Sequence, residues 1–236
     1  MPRLPALRRN VILLTTISPS NFWQGVVRRL VALAGSGQSY WERNAGRYDR
    51  ALRPLAKPFP RTTLELVAEA TRGADRVLEL AAGTGLVTPS IARSARSVVA
   101  TDYADAMVAQ LRERVIRDNL SNVDCEQADI YALTYAPQSF DAVVAANVLH
   151  LVPDWEAAIA AMKRVLKPSG VLVVPTFVHD QTLLSTVVSR LLSLTGFPGQ
   201  RRFSAESLIN ALGGQGLAVT RRETLPGLIP IEFVSG

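Results

Sequence analysis

The segment 79–85 (ELAAGTG) has the composition of a turn that lets a ligand approach the backbone. It follows an apolar run typical of a strand and precedes a run typical of a helix. Its small residues leave backbone N–H groups accessible, and those groups point outward at a helix N-terminus. We expect a ligand to contact the turn through a set of five residues. They are Glu79, Ala81, Gly83, Thr84 and Gly85.

Two common nucleotide-binding loops do not match this segment. A dinucleotide fingerprint would place a third glycine where Thr88 stands, and here an acid, Glu79, ends the strand. No Gly-Lys-Ser/Thr follows, so a phosphate-binding P-loop is excluded. A lone glycine loop is weak evidence, and the surrounding elements must support it.

The chain from residue 75 onward alternates short apolar runs with helical stretches, the pattern of parallel βαβ units. The predicted strands are 76–80, 97–101, 123–127, 140–146 and 171–176. After a helix at 205–215, two further strands at 217–224 and 228–234 are joined by Pro226 and Gly227, which predicts an antiparallel hairpin. The expected fold is α/β, a Rossmann-like doubly wound seven-stranded sheet, mostly parallel with an antiparallel C-terminal hairpin inserting one strand beside the fifth.

Length and composition favour one domain and an N-terminal extension. The chain has 236 residues, of which 48% are hydrophobic and 19% charged. We expect a basic, partly apolar extension at 1–36 and a domain at 37–236, whose first part, 37–72, forms a helical cap. Cys125 is the single cysteine, so neither an internal disulfide nor a cysteine-based zinc site is expected. A metal-free protein of the reducing cytoplasm fits these features.

The positive charge is concentrated near the start of the sequence. Residues 1–60 hold ten of the 26 Lys and Arg against only Glu42 and Asp49, while the whole chain carries +6. Such an arm attracts an anionic surface, although a solvated Arg-rich face fits equally well. The apolar stretch 11–34 is interrupted by polar residues, so no spanning helix or export signal is expected.

Further motifs follow in a recognisable order. They are Asp102 within VVATDYADAMV, Ala128-Asp129-Ile130, residues 139–152 (SFDAVVAANVLHLV) and residues 166–174 (LKPSGVLVV). With Glu79, Gly83 and Gly85, this series resembles the class I S-adenosylmethionine-dependent methyltransferases, with Ala81 in place of the usual first glycine. The start at 40–49 resembles the ubiquinone/menaquinone-biosynthesis type of small-molecule methyltransferase. S-adenosylmethionine is the cofactor that the resemblance implies.

The position of each motif suggests its role toward that cofactor. Asp102 ends the second strand, where a carboxylate can accept both ribose hydroxyls. Tyr103 and Met107 are placed to pack on the adenine, and Asn147 is a candidate for the methionine end. Asp129 is placed to receive the adenine amine, with Ile130 covering the ring. Core packing is the alternative for Met107 and Ile130.

Methyl transfer is an in-line attack on an activated methyl, so positioning does most of the work. A general base is needed only if the acceptor must lose a proton, and the candidates are His150, His179 and Asp180. The alternative is that each is an ordinary loop residue or helix cap. Tyr40, Trp41 and Tyr48 form an aromatic stripe on a predicted helix, which either closes over the methyl donor as a lid or packs on the domain.

The expected function is methyl transfer to a small-molecule or lipid-like acceptor, with contact to a membrane surface through the basic arm. A nucleic-acid methyltransferase is disfavoured, because Asn147 is not followed by the Pro-Pro-aromatic motif of enzymes that methylate amino groups of bases. A non-catalytic cofactor-binding or membrane-associated protein is the other alternative. The sequence does not identify the acceptor.

Overall fold

The computed structural model describes residues 61–178, 201–226 and 229–236. In these residues helices cover both faces of one sheet. The helices are α1 Arg61–Ala70, α2 Thr88–Ser94, α3 Asp105–Arg117, α4 Trp155–Val165 and α5 Ala205–Gly214. The strands are β1 Arg76–Glu79, β2 Ser97–Asp102, β3 Val123–Gln127, β4 Phe140–Val144, β5 Leu166–Val173, β6 Thr176–Phe177, β7 Arg221–Leu225 and β8 Ile231–Ser235.

The sheet has the strand order β3-β2-β1-β4-β5-β8-β6, and β7 pairs with the other edge of β8. Strands β1 to β5 are parallel to one another. The order reverses between β1 and β4, which lie side by side, so the connections leave them in opposite directions. Ligands of open α/β sheets bind in the crevice beyond the carboxyl ends at such a point.

The central strands are apolar on both faces because helices cover both sides. Val77 packs with Ile91 and Leu111 on the face covered by α1, α2 and α3. The next residue, Leu78, packs with Met162 and others on the face covered by α4 and α5. All three of the β1 residues 77–79 are buried. This two-sided burial confirms the doubly wound fold expected from the sequence.

The helices α4 and α5 each begin with a capping residue. The Asp154 side chain accepts a hydrogen bond from the Ala157 N–H at 2.9 Å and begins α4. Ser204 and Ser207 form a reciprocal capping box at the start of α5. Each cap satisfies backbone donors that the helix leaves open.

The antiparallel part of the sheet is built around β8. Ser235 pairs with Val173 of β5 on one side and with Arg221 of β7 on the other. Every residue of β8 is buried, including Glu232, whose carboxylate forms an ion pair with Arg222 at 2.7 Å. The predicted insertion of one hairpin strand beside the fifth strand is confirmed.

Several boundaries differ from the prediction. The predicted strand 171–176 is two strands, β5 and β6, because Pro175 has no N–H to continue the ladder. The hairpin strands lie later than predicted, and residues 226–230 connect them in place of the predicted two-residue link. The predicted strand 140–146 ends at Val144, although the Ala145 N–H still donates to the Val173 carbonyl at 2.9 Å.

Candidate cofactor and acceptor site

The loop after β1 is fastened to both neighbouring strands. The Leu80 N–H donates to the Val144 carbonyl of β4, and the Ala82 N–H donates to the Thr101 carbonyl of β2, each at 2.8 Å. The Gly85 N–H closes the turn onto the Ala82 carbonyl at 2.9 Å. The loop is therefore held at the switch point before any ligand arrives.

Two glycines of this loop serve different purposes, although both have positive φ. A Cβ at Gly83, where φ is +58°, would meet no atom within 4 Å. A Cβ at Gly85 would lie 2.7 Å from Leu111 Cδ1 of α3. Gly85 is thus required by packing, whereas Gly83 faces open space that a ligand can enter. Thr84 between them is buried.

Asp102 binds the loop to the end of β2. Its Oδ2 accepts the Gly83 N–H at 2.9 Å and its Oδ1 accepts the Ala104 N–H at 3.0 Å. The residue is 9% exposed. These two backbone donors fix the position of the carboxylate at the end of β2.

Glu79 is a second carboxyl group close by, and its environment is different. It is 2% exposed, and burial raises its pKa from 4.5 to about 8. The nearby Thr88 side chain lowers the pKa, and Asp102 raises it. Glu79 is therefore protonated at neutral pH and lies near the Asp102 carboxyl group.

The residues predicted to contact adenine fall into two groups. Tyr103 is 47% exposed beside Asp102, and Gln127 donates to its carbonyl at 3.0 Å. Met107, in contrast, is 2% exposed and packs with Ala104 in a small core cluster. The burial of Met107 favours its core-packing alternative.

Asp129 and Ile130 follow β3 at the same edge of the sheet. The Asp129 Oδ1 accepts the Tyr131 N–H at 2.9 Å, which fixes the carboxylate in a local turn. Ile130 is half-buried and packs against the core on the α4 side. Their roles toward adenine remain predictions.

Asn147 connects the end of β4 to the segment after β5. Its backbone has φ +53°, its N–H donates to the Pro175 carbonyl at 2.8 Å, and its Oδ1 accepts the Phe177 N–H at 3.1 Å. His150 is 4% exposed, and its ring lies edge-on to Phe177 with centroids 6.1 Å apart.

Sequence reasoning missed the aromatic side chains on this side of the crevice. Phe177 lies at the carboxyl edge, and Trp155 stacks edge-on with Phe203 at 6.2 Å. The Arg201 guanidinium lies 5.7 Å from the Trp155 ring centroid, and the Arg201 backbone N–H donates to the His150 carbonyl at 3.1 Å. The position of Phe177 directly after the fifth predicted strand could have indicated, from the sequence, an aromatic side chain at this edge.

The remaining predicted site residues lie outside the described residues. They are His179, Asp180, Tyr40, Trp41 and Tyr48. Across residues 61–178, 201–226 and 229–236, no cluster of three or more His, Cys, Asp or Glu is arranged to hold a metal ion. In the same ranges no helix is long and apolar enough to span a membrane.

Comparison with known proteins matches this region to one family. Residues 78–174 match a family model described as a methyltransferase domain. A ubiquinone/menaquinone biosynthesis C-methyltransferase, UbiE, of Teredinibacter turnerae is 37% identical over 140 residues, which cover 58% of this chain and 55% of that protein. The chain thus spans about half the length of this relative.

Solved structures share the fold. The YcgJ protein of Bacillus subtilis is 21% identical with a TM-score of 0.61, covering 70% of this chain and 73% of that chain. The [4+2]-cyclase SpnF is 28% identical with a TM-score of 0.58, covering 69% of this chain and 58% of its own. One fold therefore accompanies more than one chemistry among these neighbours.

Residues 78–174 match a methyltransferase domain, and the sheet order and the loop at the switch point agree with the class I S-adenosylmethionine-dependent methyltransferases that the sequence motifs resemble. Over the aligned residues the chain is similar to the ubiquinone/menaquinone biosynthesis C-methyltransferases. The residues present fit S-adenosylmethionine, because Gly83 faces open space, Asp102 holds a carboxyl group beside the loop and Tyr103 presents an exposed ring.

Proposed function

We propose that this protein transfers the methyl group of S-adenosylmethionine to a ring carbon of a small, lipid-like hydroquinone. The observation that carries the methyl-transfer part is the cradle formed by Gly83 and Asp102 at the switch point of the sheet. The acceptor class is supported by the similarity to a quinone-biosynthesis C-methyltransferase.

The cofactor-binding residues act by holding and orienting. Asp102 accepts the ribose hydroxyls, since its carboxylate is already aligned by the Gly83 and Ala104 N–H groups. The exposed Tyr103 ring covers one face of adenine, and Asp129 receives the adenine amine. When bound, S-adenosylmethionine supplies an electrophilic methyl group on a positively charged sulfur.

The residues on the acceptor side position the ring and accept the proton of a ring hydroxyl. A ring carbon of a hydroquinone becomes nucleophilic when an adjacent hydroxyl is deprotonated, so a base near that hydroxyl accelerates the reaction. His150, His179 and Asp180 are the proposed bases. Phe177 at the edge of the crevice supplies an apolar surface for a flat ring.

A radiochemical assay tests the proposed activity. Purified protein is incubated with methyl-labelled S-adenosylmethionine and a reduced, demethylated naphthoquinone that carries a short isoprenoid chain. We expect label in the quinone and stoichiometric S-adenosylhomocysteine, and we expect both to fall sharply in Asp102→Ala.

The same assay separates other chemistry from methyl transfer. If a cell extract offered in place of the quinone yields no labelled product at all, the methyltransferase proposal is wrong. This control matters because the [4+2]-cyclase SpnF shares the fold. Label appearing in some other small molecule would contradict only the quinone part of the proposal.

We also propose that the segment with Tyr40, Trp41 and Tyr48 closes over the bound cofactor and excludes water. Hydrogen exchange with and without S-adenosylhomocysteine tests this idea. Slower exchange across residues 40–52 in the complex is expected, and identical exchange in both states would contradict a lid.

A lipid-like acceptor lies in a membrane, which suggests a use for the basic arm. We propose that the protein works in the cytoplasm and that residues 1–36 bring its domain, residues 37–236, to an anionic bilayer surface. Sedimentation with vesicles containing anionic phospholipid measures this contact. Binding should weaken with salt and be lost when residues 1–36 are removed, while equal binding to neutral vesicles would contradict it.

A further inference from the structure

Backbone hydrogen bonds between the chains of β4 and β5 continue for a short distance beyond their last paired residues. Val144 pairs with Val173, the Ala145 N–H donates to the Val173 carbonyl at 2.9 Å, and the Asn147 N–H donates to the Pro175 carbonyl at 2.8 Å. Pro175 itself offers no N–H, and beyond Asn147 the two chains no longer pair through backbone groups alone. Separating strands of this kind open the crevice in which α/β enzymes bind ligands.

Asn147 bonds to the chain that follows β5 at the point where this chain and the one that follows β4 begin to separate. Its own N–H reaches the Pro175 carbonyl, and its side-chain Oδ1 receives the Phe177 N–H. The other edge of β6 is held by β8, through the pairs Thr176 with Glu232 and Phe177 with Ile231. The Asn147 amide is therefore a side-chain replacement for the missing strand partner on the β4 side.

The residue type suits this position for two reasons. Asparagine adopts positive φ more readily than most residues that carry a Cβ, which φ +53° requires here. Its amide oxygen also provides the acceptor that Phe177 needs. Glycine would satisfy the first requirement alone, and aspartate would satisfy the second while giving up the amide N–H groups.

Fixing Phe177 also fixes its contact with His150. We name these two side chains the His150–Phe177 pair, since their rings meet edge-on with centroids 6.1 Å apart. His150 lies in the same loop as Asn147, three residues later. This loop therefore contacts β6 at two places. A shift of β6 away from the loop would separate the two rings.

We propose that Asn147 is a positioning residue for the acceptor, which acts by holding the His150–Phe177 pair at the crevice. This proposal rests on the proposed function, because it assigns the pair to the acceptor side. It differs from the prediction that Asn147 binds the methionine end of the cofactor. In this arrangement the amide oxygen of Asn147 makes the positioning contact, and the amide N–H groups do not.

Histidine NMR tests the positioning directly. The chain contains two histidines, so a protein labelled at the histidine rings gives two sets of signals, and a His179→Gln variant assigns them. Asn147→Ala and Asn147→Gly should both shift the His150 ring signals, because the Phe177 ring current changes. Asn147→Asp should restore them.

Kinetics and binding give a second readout on the same variants. With the short-chain demethylated naphthoquinol as acceptor, we expect kcat/KM to fall about threefold to tenfold in Asn147→Ala and Asn147→Gly. Affinity for S-adenosylhomocysteine should stay within about twofold, and Asn147→Asp should recover most of kcat/KM.

Asn122→Ala is the matched control. The Asn122 amide also bonds to backbone, donating to the Ala92 carbonyl at 2.8 Å, but at the amino end of the sheet. Its loss should lower the melting temperature without moving the His150 signals or kcat/KM. A change in both would mean that general destabilisation explains the Asn147 effects, which would overturn the proposal.

Two other outcomes would also overturn it. If Asn147→Asp binds S-adenosylhomocysteine as weakly as Asn147→Ala, the amide N–H groups contact the cofactor. If Asn147→Gly matches wild type throughout, the side chain has no positioning role. Failure of the quinone assay in wild type would instead count against the proposed function, and the histidine signals would still decide the role of Asn147.

Discussion

The sheet has two halves that differ in structure. Strands β1, β2 and β3 form the first half, and strands β4, β5, β6 and β8 form the second. In the first half the parallel registers are regular, and backbone N–H groups converge on Asp102. In the second half the β4–β5 register shifts, the ladder breaks at Pro175, and aromatic rings line the edge. A fixed cofactor suits the regular half, and a flat apolar acceptor suits the other.

The two halves also differ in how far along the chain their contacts reach. The loop at Gly83 is held by Thr101, Asp102 and Val144, which belong to neighbouring units of the fold. The second half depends on β8, which pairs Ser235 with Val173. The first half, which we call the cofactor half, is therefore held by adjacent strands, including β4 of the second half, whereas the second half depends on β8, which lies much farther along the chain.

Removing β7 and β8 is the most severe way to test that difference. Deletion of residues 217–236 removes buried side chains such as Phe233 and Val234, each worth about 1.5–3 kcal/mol. Since whole domains are stable by only about 5–15 kcal/mol, cooperative unfolding should be lost. Thermal denaturation followed by circular dichroism measures it. A truncated protein with an unchanged transition would show that the second half does not need these strands.

Glu79 should give the cofactor half a pH-dependent stability. Its pKa is raised from 4.5 to about 8, so the folded state keeps a proton that the unfolded state releases between those values. The free energy of unfolding should thus fall by about 1.4 kcal/mol per pH unit from roughly pH 4.5 to 8 because of this group. Above pH 8 the fall should stop.

Urea denaturation at several pH values separates this contribution from all others. Glu79→Gln should remove the slope, and the exposed Glu113 of α3 provides the control, Glu113→Gln, which should leave it in place. Equal slopes in wild type and Glu79→Gln would mean that Glu79 is ionised in the folded protein.

Asp102 should matter chiefly for the cofactor. Asp102→Ala is expected to weaken binding of S-adenosylhomocysteine by about 1.5–3 kcal/mol, the range for hydrogen bonds to a charged group. Calorimetry measures the loss, with the exposed Asp124→Ala as control. The wild type should bind S-adenosylmethionine and S-adenosylhomocysteine but not NAD, and tight NAD binding would contradict the assignment of the site.

The two loop glycines allow a finer test within the cofactor half. Gly85→Ala should lower the stability by about 1–3 kcal/mol, because the new Cβ overlaps Leu111. Gly83→Ala should cost about 1–2 kcal/mol of stability for its positive φ, but it should lose more cofactor affinity, since its Cβ enters open space. Similar affinity losses in both variants would refute the distinction.

Ala81 should give the smallest effect. Its φ of +52° costs a residue with a Cβ about 1–2 kcal/mol, while glycine adds unfolded-state entropy worth about 0.4–1 kcal/mol. Ala81→Gly should therefore raise the stability by up to about 1 kcal/mol. Ala160→Gly, on the exposed face of α4, should lower it instead. A loss in both variants would show that Ala81 is not strained.

The contrast between the halves also explains what the sequence could predict. The third strand, Val123–Gln127, matches its prediction. Strands β1 and β2 differ from theirs by one residue, because short apolar runs define them locally. Glu79 and Asp102 were each predicted at the end of a strand, and the parallel pairing of β1 with β2 brings these ends to one edge of the sheet. Those inferences required only neighbouring units.

The second half was harder to predict because its geometry depends on distant contacts. Pro175 could have indicated the break between β5 and β6, but nothing local reveals that Asn147 receives the Phe177 N–H. The positive φ of Asn147 is likewise set by where β4 and β6 separate. Met107 shows a different limit of sequence reasoning. Its spacing suits packing on adenine, but the fold buries it beside Ala104.

The central place of β8 has a consequence for biosynthesis. As the chain leaves the ribosome, β1 to β5 can assemble in order, but the free edge of β5 has no partner until residues near Ser235 emerge. An apolar edge strand waiting in this way is prone to pair with other chains. Chaperones that shield such edges during translation should therefore raise the yield of folded protein more than added cofactor does.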